Sequence, residues 1–264
     1  MSDLPFRSTA GLLAALDRRE TSSEELLALF LSRIERLSKD ANAVVTLDAE
    51  RAFAEARRCD EERSRGERRG PLHGLPVTVK DSFETEGLLT TSGGTPELMG
   101  HVPARDAVVV ARLKAAGAIV FGKTNLSTQA MDIQTYNDAF GTTNNPWDAG
   151  RTAGGSSGGS AVAMSCGLSA LEVGSDLGGS IRIPASFCGV FGHRPSYGIV
   201  PTRGHIPGPP GALAAPDLET AGPIARSADD LDLALAVDAR VLEREQEPCA
   251  RGGAQRRLHG GGGG

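Results

Sequence analysis

Two segments rich in glycine and serine, together with one lysine, are the parts of this sequence best suited to chemistry. GGSSGGS covers residues 154–160, and GSDLGGSIR covers residues 174–182. A serine beside glycines lies near unshielded backbone N–H groups, which stabilise a tetrahedral oxyanion by about 3–4 kcal/mol per donor. Lys80 ends the apolar stretch LPVTVK at residues 75–80, and taken by itself it is expected to be a surface lysine. On these residues alone, a catalytic serine and a structural Gly/Ser loop both remain open.

The first of these segments also satisfies another hydrolase motif. Residues 154–158 match GxSxG, the nucleophile elbow of hydrolases that use a histidine base, which requires an apolar strand before the serine. The residues that precede Ser156, at 144–151, are instead rich in turn formers. The sequence therefore disfavours a serine–histidine mechanism.

A third motif offers a different class of function. Residues 117–124 satisfy GxxxxGK[ST], so one alternative is a nucleotide-binding protein that uses Lys123 and Thr124. A phosphate-binding loop needs open backbone N–H groups, whereas the four residues between these glycines are apolar and typical of a strand. We expect a strand that leads into a turn here.

Taken together, these segments resemble the amidase signature family. Two further stretches support the resemblance, GKTN at residues 122–125 and FCGVFGHRPSYG at residues 187–198, and it extends from about residue 8 to about residue 237. The resemblance implies a Ser–cis-Ser–Lys hydrolase. In that family the serine of the GGS turn attacks, the first serine of GGSS relays protons, and the lysine of the VKD strand end is the base. The matching positions are Ser180, Ser156 and Lys80.

The resemblance also implies the groups that support this triad. The oxyanion hole would consist of backbone N–H groups of Leu177, Gly178, Gly179 and Ser180. Asp176 and Arg182 match charges that brace the loop. Leu177 stands where many members have threonine, which leaves the backbone donors in place. No histidine has a catalytic role, so we expect His193 and His205 to be loop or structural residues.

The implied reaction is hydrolysis of a carboxylic amide to an acid and ammonia or an amine, with no metal and no other cofactor. One alternative is the amidotransferase subunit that amidates mischarged tRNA. That subunit commonly reads IRQPA after the nucleophile, whereas residues 181–185 read IRIPA here. Another alternative is an inactive, truncated fragment. The expected partner is a small amide, and the sequence leaves a homodimer open.

Composition limits the remaining function classes. The 264 residues include 28 Lys+Arg and 33 Asp+Glu, a net charge of −5, and 39% are hydrophobic. These values are typical of a soluble globular protein and disfavour nucleic-acid binding, which needs a basic face. There is no apolar run of about 18 residues, so we expect no membrane span. Four cysteines without CxxC spacing and an N-terminus without a signal pattern indicate the cytoplasm.

The elements that must position these residues alternate between helix and strand, which predicts an α/β fold. We expect a mixed β-sheet core covered by helices on both faces. A capping box at residues 21–24 opens one of the helices. Helices are expected over residues 10–19, 48–68, 106–117, 161–166 and 227–237, and strands over residues 75–80, 118–121 and 168–173.

Glycine is unevenly distributed along the chain. Of 34 glycines, 22 lie in residues 87–211, around the candidate site, and the chain ends in five more. We therefore expect a catalytic domain over residues 1–238 and a disordered or frameshifted tail over residues 239–264. The resemblance implies that this chain corresponds to the N-terminal part of a longer fold. Our preferred hypothesis for the short chain is therefore a frameshift or premature end of the gene model.

Overall fold

The computed structural model describes residues 3–206 and 217–239, which contain seven α-helices and six β-strands. The helices are α1 Thr9–Asp17, α2 Ser23–Ala41, α3 Ala49–Ser64, α4 Val108–Ala115, α5 Gly158–Ser165, α6 Arg182–Cys188 and α7 Ala228–Ala239. The strands are β1 Val44–Leu47, β2 Pro76–Lys80, β3 Ile119–Thr124, β4 Glu172–Asp176, β5 Phe191–Gly192 and β6 Thr220–Ala225.

The strands form two three-stranded sheets that meet side by side. The first has the order β1-β3-β2, with β2 parallel and β1 antiparallel to β3. The second has the antiparallel order β4-β6-β5. The N–H of Thr78 in β2 donates to Oγ of Ser169, just before β4, at 2.9 Å. This junction sets the end of β2, with Lys80, beside the end of β4, with Asp176.

Both faces of the sheets are covered. Every residue of β2, β3, β4 and β6 is buried, which requires packing on each side of the strands. On one side, the ring of Phe30 in α2 stacks on that of Phe121 in β3, with 6.3 Å between centroids. Helix α5 packs against both sheets. The expected α/β fold with a mixed sheet is confirmed.

Helix α2 begins with a capping box one residue later than expected. The Oγ of Ser22 accepts from the N–H of Glu25 at 3.0 Å, and the N–H of Ser22 donates to Oε2 of Glu25 at 2.9 Å. The predicted box over residues 21–24 was therefore wrong in register. The reason is that Glu24 faces α3, where it pairs with Arg57 at 3.2 Å.

Two boundaries near the candidate site also differ from expectation. Helix α5 starts at Gly158 rather than at residue 161, and β4 occupies Glu172–Asp176 rather than residues 168–173. Gly158 weakened the helix signal, and Gly174 and Asp176 weakened the strand signal. Glu172 is accommodated inside β4 because hydroxyl groups of the neighbouring strands bond its carboxyl.

Part of the domain prediction falls outside the described residues. The expected tail over residues 239–264 lies there except for Ala239, which ends α7. Among the helices of residues 3–206 and 217–239, none has the length and apolar character needed to cross a membrane.

Candidate active site

Lys80 is the last residue of β2, and its side chain is fully buried. Its Nζ donates to Oγ of Ser156 at 2.7 Å and to Oγ of Ser175 at 2.8 Å. Burial lowers the pKa of this amine from 10.5 to about 7, and the negative charges of Glu219 and Asp176 partly oppose that shift. A large fraction of Lys80 is therefore uncharged near neutral pH and able to take a proton.

Ser156 lies in the tight turn that leads into α5. The Gly155–Ser156 peptide is cis, and Ser156 is fully buried. A Cβ at Gly155 would lie 2.8 Å from the carbonyl oxygen of Asp132, so only glycine allows this close approach. Thr135 Oγ1 donates to the carbonyl oxygen of Ser156 at 3.3 Å and fixes the turn. No strand leads into Ser156 within the described part of the chain, so the nucleophile elbow of a serine–histidine hydrolase is not formed.

Ser180 lies in the loop between β4 and α6 and is partly exposed. Its hydroxyl has no hydrogen-bond partner among the residues that the structure describes. The N–H of Ser157, the residue after Ser156, donates to the carbonyl oxygen of Ser180 at 3.1 Å. The structure thus bonds Lys80 directly to Ser156 and ties the Ser156 turn to the Ser180 loop. The Ser156–Ser180 step of the predicted relay has no hydrogen bond.

The Ser180 loop is held by the buried carboxylate of Asp176. The guanidinium of Arg182 donates to both carboxylate oxygens at 3.0 Å, and the backbone N–H groups of Gly179 and Ile181 donate at 2.8 and 3.1 Å. Burial alone would raise the pKa of Asp176, but these donors outweigh it and hold the pKa below its usual value. The carboxylate therefore stays ionised and fixes the loop.

The same contacts reduce the set of predicted oxyanion donors. The N–H of Gly179 is already bonded to Asp176, so it is turned away from any substrate. The N–H groups of Leu177, Gly178 and Ser180 donate to no described residue. Gly178 is exposed, so this donor lies at the surface of the loop. Three of the four predicted donors remain available.

The nucleotide-binding alternative is wrong for residues 117–124. Residues Ile119–Thr124 form the buried strand β3 rather than a phosphate-binding loop. Nζ of Lys123 donates to the carbonyl oxygen of Phe83, to Oγ1 of Thr85 at 3.0 Å and to Oγ1 of Thr90 at 3.3 Å. Lys123 therefore anchors the segment that follows β2 and is closed to a phosphate.

Sequence reasoning missed several residues beside the triad. Ser175 is the second hydroxyl on Lys80, and the strand predicted over residues 168–173 ended before it, so no pattern indicated this contact. Glu172 lies in the same strand, fully buried, and burial raises the pKa of its carboxyl to about 7. It accepts hydrogen bonds from Thr78 and Thr124. A lone glutamate among apolar residues gave no sequence signal of these hydroxyl partners.

One group of side chains away from the site has the chemistry of metal ligands. Ligand atoms of Cys59, Glu62 and His73 lie within 4.8 Å of one another. Both carboxylate oxygens of Glu62 are bonded by Arg69, at 2.6 and 2.8 Å. Burial raises the pKa of the Cys59 thiol to about 11, which disfavours the thiolate that a metal needs. These contacts form an ion-pair network, and the side chains of Cys59, Glu62 and His73 are not suited to bind a metal ion.

With this geometry in place, the comparisons with known proteins decide the family. The amidase family model matches residues 25–249. The chain belongs to the amidase signature family. This confirms the resemblance carried by the two glycine- and serine-rich segments.

Relatives of this amidase signature chain include enzymes whose names state different activities. The A-type subunit of glutamyl-tRNA(Gln) amidotransferase from Moorella thermoacetica is 46% identical over 233 residues, which are 88% of this chain and 46% of that protein. A solved amidase structure is 40% identical with a TM-score of 0.81, over 89% of this chain and 52% of that one. The peptide amidase of Stenotrophomonas maltophilia is 37% identical with a TM-score of 0.80, over 88% and 47%. The chain spans about half the length of the proteins it matches.

Proposed function

We propose that this chain carries the catalytic groups of an amide hydrolase, with Ser180 as nucleophile, Ser156 as proton relay and Lys80 as base. One observation carries the proposal. The fully buried amine of Lys80 lies 2.7 Å from the hydroxyl of Ser156, in a turn that bonds the backbone of Ser180. A buried amine with a pKa of about 7 beside a serine hydroxyl is the arrangement that a serine–lysine mechanism needs.

The proposed reaction begins with attack of Ser180 Oγ on the amide carbon. The Ser180 proton passes to Ser156, whose own hydroxyl proton passes to neutral Lys80. The carbonyl oxygen becomes an oxyanion, which the N–H groups of Leu177, Gly178 and Ser180 stabilise. Small movement of the partly exposed Ser180 side chain closes the gap to Ser156 when substrate binds.

The second half of the reaction returns the proton. Lys80 protonates Ser156, which protonates the leaving nitrogen, so the C–N bond breaks and ammonia or an amine departs. Water then attacks the acyl-serine through the same relay, the acid is released, and Ser180 and Lys80 regain their starting protonation states. The groups of this chain balance every proton without a metal or other cofactor.

Amide hydrolysis by the chain tests the proposal. Ammonia release is measured with a panel of primary amides of small aliphatic, aromatic and amino acids, with Ser180→Ala as the variant and Ser196→Ala, at an exposed loop position, as the matched control. We expect ammonia release from the parent and the control and none from Ser180→Ala. Equal rates in the parent and Ser180→Ala contradict the proposal. A folded parent without activity on any amide supports the inactive fragment instead.

A second candidate is the amidotransferase subunit that acts on charged tRNA. The 46% identity to the A-type subunit of a glutamyl-tRNA(Gln) amidotransferase favours it. In that case the amide is glutamine, and the partners are other subunits and a tRNA. Co-purification of the chain with further subunits, together with glutamine-dependent amidation of charged tRNA, supports this candidate. Ammonia release from simple amides by the chain alone supports the hydrolase.

A further inference from the structure

A histidine and a glutamate form a buried pair close to the proposed base. Nδ1 of His205 lies 2.9 Å from Oε1 of Glu219, and only 1% and 7% of the two side chains are exposed. Neither residue belongs to the triad or to the proposed oxyanion hole. A buried carboxylate has a large desolvation cost, so its location calls for a functional reason.

The pair joins the two chain segments that meet at Lys80. The ring of His205 packs on that of Phe83, with 4.7 Å between centroids, and the N–H of Ile206 donates to the carbonyl oxygen of Ser82 at 2.6 Å. These contacts fix His205 against the residues that follow Lys80.

Glu219 comes from the other segment. It directly precedes β6, in which Thr220 pairs with Asp176 at the end of β4 and donates to its carbonyl oxygen at 3.3 Å. The residue before Asp176 is Ser175, whose hydroxyl bonds Lys80 at 2.8 Å. Glu219 is therefore anchored at the same strand end as the partner of the Lys80 amine.

We infer that Glu219, held in place by His205, is a positioning residue that stabilises the protonated Lys80 formed when the base takes the serine proton. The catalytic consequence rests on the proposed function, but the effect on Lys80 does not. Because both groups are buried, the attraction between carboxylate and ammonium is stronger than at the surface.

The other charges around Lys80 do not replace Glu219. Asp176 is paired with Arg182 at 3.0 Å and with Arg194 at 3.4 Å, so its charge is largely compensated. His205 is buried, which lowers its pKa and keeps it neutral near pH 7. Burial alone would raise the pKa of Glu219, but the contact with the His205 ring and the positive charge of Lys80 outweigh it and hold the pKa below its usual value. Its Oε2 has no hydrogen-bond partner among the described residues.

Three further titratable groups complete the surroundings of Lys80. Asp81 follows it in the chain, and burial raises the pKa of its carboxyl. Glu172, in β4, is bonded to threonine hydroxyls. Lys123, in β3, carries a like charge and is bonded to the segment after β2. Glu219 and Asp176 are the carboxylates whose charge acts on Lys80, and of these two only Asp176 is paired with arginines.

The test is a pH titration of the lysines, monitored by NMR of the full chain carrying 13C at the lysine ε-carbon. The Lys80 signal is assigned by its loss in Lys80→Met. In Glu219→Gln we expect the Lys80 midpoint to fall by about one pH unit, because a neighbouring negative charge is lost. Asp217→Asn, an exposed position with the same change of charge, is the matched control and leaves the midpoint in place. An unchanged midpoint in Glu219→Gln, or an equal shift in Asp217→Asn, overturns the inference.

Lys123 serves as the internal reference, because its titration depends on an intact fold. If Glu219→Gln unfolds the chain, Glu219→Asp withdraws the carboxylate by one methylene group, and we expect a smaller shift in the same direction. No shift in that variant also overturns the inference. Since the titration needs no turnover, its result is separate from the proposed function. A Ser180 that proves unreactive contradicts the hydrolase and leaves the measured effect on Lys80 standing.

Discussion

Two buried lysines on neighbouring parallel strands show what separates a proposed base from a structural cation. Lys80 ends β2 and Lys123 lies in β3, and each is fully buried. Burial lowers the pKa of Lys80 to about 7 and that of Lys123 to about 8. Burial and pKa alone therefore do not distinguish the two.

The difference lies in what each amine touches. Lys123 donates to a carbonyl oxygen and two threonine hydroxyls of the segment that follows β2. Lys80 instead donates to two serine hydroxyls, and one of them belongs to the turn that bonds the Ser180 loop. Serine and threonine hydroxyls can both accept and donate a proton, so the difference is that the hydroxyl of Ser156 on Lys80 belongs to the turn bonded to the open Ser180 loop.

The largest expected effect comes from removal of the proposed base. In Lys80→Met we expect the rate constant for fluorophosphonate labelling of Ser180 to fall about 1,000-fold or more, because the serine loses its proton acceptor. Labelling is followed by mass spectrometry at fixed probe concentration. If the folded Lys80→Met chain is labelled at the parent rate, Lys80 is not the base and its role does not differ from that of Lys123.

The next effect concerns the brace of the nucleophile loop. Asp176→Asn keeps the side-chain shape but loses the charge that binds Arg182 and the backbone N–H groups of Gly179 and Ile181. We expect labelling of Ser180 to slow about 100-fold as the loop loosens. Asp148→Asn, at an exposed loop position, is the control. If both variants label at the parent rate, the brace is unimportant for reactivity.

The pH dependence gives a smaller, graded effect. Because Lys80 acts as a base only when neutral, labelling falls about tenfold per unit as pH decreases below about 7. The sign for stability follows from linkage. The folded pKa lies below the unfolded value of 10.5, so the unfolded chain binds more protons and stability rises as pH increases from about 7 to 10.5. Lys80→Met should flatten both slopes, as measured by labelling and by denaturant unfolding. A labelling rate independent of pH between about 5 and 9 argues against Lys80 as the base.

Lys123→Met should have the smallest effect on reactivity. We expect the labelling rate of folded molecules to stay within about threefold of the parent, because Lys123 has no contact with the triad serines. The free energy of unfolding should fall by about 1–3 kcal/mol, since Phe83, Thr85 and Thr90 lose their donor. If Ser180 in a folded Lys123→Met chain is no longer labelled by the probe, the two lysines have the same role and the comparison fails.

Much of the fold was predictable where periodicity and caps agree. The helices α1, α3, α4 and α7 and the strands β2 and β3 lie within a few residues of their expected positions. Strands β1, β5 and β6 and helix α6 were not predicted. In β6, Gly222 and Pro223 weaken the strand signal. The pairing of β6 with β4 comes from distant chain contacts that no local pattern reveals.

The candidate site likewise has a part that the sequence predicted and a part that it did not. The family resemblance predicted Ser156, Ser180 and Lys80 as a triad, because the motifs that carry it are local in sequence. The occupied N–H of Gly179 depends on where the Asp176 carboxylate points, and no residue pattern encodes that direction. The pairing of His205 with Glu219 had no sequence signal, since it joins segments that only the fold brings together.

The central claim is that Ser180 is the nucleophile and that Lys80 activates it through Ser156. Its most direct test is to treat the chain and its Lys80→Met variant with a fluorophosphonate probe and map the labelled residue by mass spectrometry. We predict an adduct on Ser180 in the parent chain and little or none in the variant. Labelling of Ser156 alone, or of no serine in the folded parent, contradicts the claim.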